Sequence, residues 1–172
     1  MSRTIQLLQL VGACKRIEGR KKLQKMVHIL QSAGYTFEYP FSLHYHGPFS
    51  FELKAELDAL CAEGIVREQH TVASGNDFPQ YDFQPGEKLP EILSRVGADD
   101  SPAWAAAARE LNGKPSHELE AISTLLFLKD RGFQDERLQQ RFAELKPRLA
   151  SKFESANAAA DRFVSLRHQQ TA

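Results

Sequence analysis

Gly19-Arg-Lys-Lys-Leu-Gln-Lys-Met-Val-His-Ile-Leu-Gln-Ser-Ala-Gly34, followed by Phe41-Ser-Leu-His-Tyr-His-Gly-Pro-Phe-Ser-Phe-Glu-Leu53, decides the fold of this 172-residue chain. In the first segment Leu23, Met26, Val27 and Leu30 recur at i, i+3, i+4 and i+7, the spacing of one buried helical stripe. Gly34 is placed to end that helix. Arg20, Lys21, Lys22 and Lys25 crowd its first turns, where the positive end of the helix dipole disfavours cations. The second segment reads as a short extended run over 41–46, stopped by Gly47-Pro48, with Ser50 positioned to cap the next helix.

Outward from this stretch, the spacing predicts a first helix over 3–16, a turn at Ile17-Glu18-Gly19, and a third helix over 50–63 with Leu53, Leu57 and Leu60 on one face. Strands are expected over 65–72 and 81–84, joined by a polar loop, 73–80, that holds Gly75, Asp77 and Pro79. This order matches a helix-turn-helix variant of winged-helix type. The rest reads as helices. One spans 87–96, and an Ala-rich one with Trp104 is opened by Asp99-Asp100-Ser101-Pro102. Further helices carry Leu125 and Phe142, and the last, carrying Phe163, opens on a capping-box spacing at Ser151 and Glu154. The expected fold class is mainly α with a small β-ribbon. A winged-helix-like part, 1–86, packs against a C-terminal helical bundle, 87–172, as one compact unit.

Net charge is zero, but the charges are segregated: residues 1–34 carry seven Lys/Arg and one acid, and residues 35–85 carry two Lys/Arg and eight acids. Such asymmetry suits internal complementarity or a polar partner surface better than general nucleic-acid affinity. Cys14 and Cys61 form no Cys-x-x-Cys, which points to reduced thiols in the cytoplasm. The first residues lack the pattern of a signal peptide, and no stretch is long enough to span a bilayer.

Three groups of residues are candidate sites. Lys15, Arg16, Arg20, Lys21, Lys22 and Lys25 form a basic edge that could grip phosphate or an acidic partner; a solvated helix start, or a patch neutralised by the acidic middle of the same chain, would look the same. Gly47, Pro48 and Ser50 form an architectural corner that aims the third helix. His44 and His46, two apart on a strand, would share a face and could ligate a metal, with Tyr45 on the opposite face in the core; but no third ligand stands at a diagnostic spacing. The expectation is therefore no metal and no cofactor. No nucleophile elbow, phosphate-cradling glycine loop or carboxylate pair marks an enzyme. The third helix and the ribbon, which would meet DNA in a conventional winged helix, carry Glu52, Glu56, Asp58, Glu63 and Asp77.

Through Gly19-Arg-Lys-Lys-Leu-Gln-Lys, His44-Tyr-His-Gly-Pro-Phe-Ser, Phe127-Leu-Lys and Leu145-Lys-Pro, the chain resembles the YwgA-like family of small, uncharacterised bacterial proteins over most of its length. The run Lys-Leu-Gln-Lys, then Gly-Pro before a helix, is also similar to Panacea-domain proteins, SocA-like antitoxins, mainly over residues 23–60. That second likeness implies a non-enzymatic protein that neutralises a protein partner. The functional expectation is a non-catalytic, antitoxin-like regulator acting by protein–protein interaction. The alternative is a DNA-binding transcriptional regulator using the Lys15-to-Lys25 edge.

Overall fold

The computed structural model describes residues 2–72 and 79–171, so the loop expected around Gly75 and Asp77 lies outside the described residues. The chain is mainly helical with small antiparallel sheets. Helix α1 (Arg3–Cys14) is capped by Ser2, whose hydroxyl accepts from Ile5 N–H. Strand β1 (Ile17–Glu18) leads into α2 (Arg20–Ser32). At its end Tyr35 N–H donates to Leu30 C=O and Gly34 N–H to Gln31 C=O, a Schellman closure with Gly34 at φ 98°. Strands β2 (Ser42–His44) and β3 (Gly47–Phe49) follow, then α3 (Phe51–Ala62) and the paired strands β4 (Val66–Val72) and β5 (Pro79–Pro85).

Helices α4 (Leu89–Arg95), α5 (Ala105–Asn112), α6 (Ser116–Asp130) and α7 (Asp135–Leu145) come next, and a 3-10 turn at Pro147–Lys152 runs into α8 (Phe153–Thr171). Helix α6 is the centre: Leu119, Ala121, Ile122, Leu125, Leu126 and Leu128 are all buried, with α2 and α8 packed on it. From Leu119 to Leu128 the helix is buried nearly all round, Ser123 and Thr124 included, which places it inside the core. The buried cluster draws on both halves of the chain, from Leu7 and Leu57 to Leu125 and Phe163.

Four expectations are corrected. Ile17-Glu18 is not a plain turn but a short strand on β5, with Ile17 opposite Phe83 and Glu18 opposite Asp82. The run 41–46 is not one strand: it folds back at Tyr45-His46 and pairs with Gly47–Phe49. Asp99–Pro102 does not open α5, whose N-cap is Trp104; Asp99 instead accepts from Ser101 N–H in a local turn. Ser151 lies inside the 3-10 turn that flows into α8, so it caps nothing.

Candidate functional site

The corner between β2 and α3 is built on α2. A two-stranded hairpin leaves half of its backbone groups unpaired, and buried ones need partners. Gln24 supplies two: its side-chain amide donates to Ser50 C=O and accepts from Ser50 N–H, both at 2.9 Å. The Ser50 hydroxyl accepts from Leu53 N–H at 3.2 Å and so starts α3. Lys25 donates to Pro48 C=O at 2.6 Å. Tyr45 and His46 keep negative φ, and Gly47 takes the left-handed step at φ 90° that returns the strand. A Cβ at Gly47 would stand 3.0 Å from the Thr124 hydroxyl of α6, so the glycine also sets how closely hairpin and core approach.

A cationic cluster lies under the hairpin tip. Lys146, just past α7, donates to Tyr45 C=O and to the Glu120 carboxylate, both at 2.6 Å. Lys21 Nζ stands 3.4 Å from His46 Nδ1. Burial lowers the Lys25 ammonium to about 8; Glu120 opposes the shift, and Lys146 and Lys21 add to it. The His46 imidazole is lowered as well, first by burial and then by Lys21. Deeper in, His28 lies 2.8 Å from the Ser123 hydroxyl, and burial brings its pKa down to about 3, which keeps it neutral.

Around the tip the aromatic rings are open. His44, Phe49 and Phe51 meet edge to face, with centroids 5.1–5.8 Å apart. Tyr45 is 86% exposed and Phe51 64%. The expectation that Tyr45 belongs to the core is overturned because it sits in the turn, not on a strand. For the same reason His44 and His46 do not share a face. His44 Nε2 turns to the Ser42 hydroxyl at 3.0 Å, while His46 turns to Lys21. Among the described residues no three His, Cys, Asp or Glu side chains converge in a metal-binding arrangement.

The basic edge does not survive as one surface. Arg16 donates to Asp82 at 2.6 Å, and Arg20 spans Asp58 and Glu68, each at 2.7 Å. Both arginines thus meet acids of the 35–85 segment. Lys22 is 8% exposed and Lys25 2%, so these two do not form a solvated helix start; Lys25 lies on the face of α2 that holds the corner. Lys15 and Lys21 remain exposed.

Sequence reasoning brought Lys25, His44, Tyr45, His46, Gly47, Pro48 and Ser50 into view, and the structure gathers them at one place with Lys146. It missed Gln24 and Lys146 as site residues, although both stand inside motifs that carried the family likeness. Glu120 gave no signal beyond being an acid in an apolar helix. Phe127-Leu-Lys points elsewhere, with Lys129 paired to Asp161. Burial raises the Cys14 and Cys61 thiols to about 11, so neither is a thiolate at neutral pH. No helix of the described residues is long and apolar enough to cross a membrane.

No family model matches the chain. It is 29% identical over 140 residues to "Uncharacterized protein YwgA" of Bacillus subtilis, covering 81% of each chain. That similarity is consistent with the YwgA-like resemblance and gives no support to the Panacea-domain one.

Proposed function

We propose that this YwgA-like chain is a non-catalytic cytoplasmic regulator, antitoxin-like in the sense that it acts by binding another protein, and that the β2–β3 corner is its contact surface. The observation that carries this reading is the pairing of open rings with a fixed backbone. Tyr45 and Phe51 are exposed beside His44 and Phe49, on a corner that Gln24, Lys25 and Lys146 hold from beneath. Exposed aromatic side chains on a pre-ordered support are what binding hot spots are made of, because little entropy remains to be lost on docking. The DNA reading loses support where Arg16 and Arg20 are already engaged by Asp82, Asp58 and Glu68. Phosphates would have to displace three carboxylates.

The test is affinity capture from an extract of the native host, with Tyr45→Ser/Phe51→Ser as the comparison and a salt-titrated duplex-DNA assay in parallel. The reading expects one protein retained by the wild type and lost by a double variant that melts normally. It also expects no DNA affinity whose logarithm falls linearly with that of salt. Equal capture by both proteins, or DNA retention that falls steeply with salt, would contradict it.

A further inference from the structure

Beside the tip of the β2–β3 hairpin lies a cleft of about 500 Å³, within the range of small-ligand sites. Leu43, Leu145, Pro147 and Leu149 give it apolar walls. His44, His46, Lys146 and Arg148 give it a basic side, and Glu120 is its sole acid among the described residues. Glu120 is already taken by Lys146. Lys21 stands behind His46, and Lys25 is buried beneath Pro48. Among the described residues Lys21, Lys25 and Arg148 make no ion pair, so four cations gather here against one carboxylate. Burial first, and the nearby Lys21 after it, lowers the His46 imidazole. Gathering like charge in a partly dry place costs free energy unless an anion completes it.

We propose that this cleft binds a small molecule in which an oxyanion is joined to an apolar body. The oxyanion sits between Lys146 and Arg148, and the body lies against Leu43, Leu145 and Leu149. Lysine supplies compact donors and Arg148 a forked one, a combination suited to phosphate or carboxylate oxygens. Glu120 does not oppose this role: it fixes the Lys146 ammonium at the cleft floor through their 2.6 Å contact and leaves the remaining donors of the ammonium for Tyr45 C=O and a ligand. The inference goes beyond the protein-binding reading and needs no protein partner for its test.

The experiment is an amide NMR titration of the full chain with inorganic phosphate, phenyl phosphate and benzoate. Phenyl phosphate should shift the amides of residues 43–47, 145–146 and 148–149 saturably. It should bind roughly tenfold tighter than inorganic phosphate, because the ring buries apolar surface. Benzoate binding at the same amides assigns the site to carboxylates as well; its absence restricts the site to phosphates, and either result upholds an oxyanion subsite. Arg148→Ala, an exposed position outside the core, should weaken binding about tenfold. Lys146→Met should abolish it, and if that variant does not fold, Arg148→Ala carries the test. Shifts scattered over all surface lysines, equal affinity for the two phosphates, or an Arg148→Ala affinity equal to wild type would each overturn the proposal.

Discussion

Gln24 does more for the corner than the serine it holds. Ser50→Ala removes one cap acceptor and should cost about 1 kcal/mol. Gln24→Ala leaves the N–H of buried Ser50 without its partner, while the Ser50 C=O keeps Lys54 N–H, and should cost about 2 kcal/mol, measured by urea unfolding. Equal costs would mean that the cap alone holds α3 in place. Lys25 is the second such residue. Its ammonium is lowered from 10.5 to about 8 in the folded chain, so the unfolded chain binds that proton more tightly. The stability that depends on Lys25 is therefore lowest below about pH 8 and rises until about pH 10.5. The thiols of Cys14 and Cys61, raised from 9.0 to about 11, act with the opposite sign, because the unfolded chain loses those protons first. Both are unchanged in Lys25→Met, so the difference between the two proteins isolates the lysine. Wild type should gain up to about 3 kcal/mol on the variant between neutral pH and pH 10.5. A difference that stays flat with pH would show that the ammonium is not desolvated.

At the scale of elements, the turn from α3 into β4 is locked to the end of β5 by a backbone contact. Gly86 N–H donates to Ile65 C=O at 2.9 Å, and a Cβ at Gly86 would fall 2.1 Å from Gly64 C=O. No side chain can yield there, since both groups are main chain. Gly86→Ala should destabilise by about 3 kcal/mol or more; an unchanged melting temperature would refute that packing. Helices α2, α3 and α6 were legible in sequence because each repeats apolar residues at the helical period. The Val66–Val72 and Pro79–Pro85 pairing was legible from β-branched and aromatic runs between breakers. Strand β1 was not, because two residues carry no period. The hairpin at Tyr45-His46 was hidden because its turn uses neither Asn-Gly nor Asp-Gly. Burial of Lys22 and Lys25 was hidden too: a lysine reads as surface until the carbonyl that receives it, here Pro48 for Lys25, is placed by a distant segment.

For the whole molecule, the segregation of charge along the chain is resolved mainly within it, as Arg16 and Arg20 show, while Lys15 and Lys21 stay exposed. In the proposed reading a partner is met by the corner, with its open rings and its basic cleft. The sequence placed the corner but assigned it to architecture alone, since neither the exposure of Tyr45 nor the approach of Lys146 can be read from spacing. The most direct test of the proposed binding through the corner is amide hydrogen exchange of the full chain, free and with the protein that the proposed reading expects to be retained from a host extract. Slowed exchange over residues 42–51, with the Arg16–Arg20 edge unchanged, is the expected result. Slowed exchange confined to that edge, or the corner exchanging at its free rate in the complex, would contradict it.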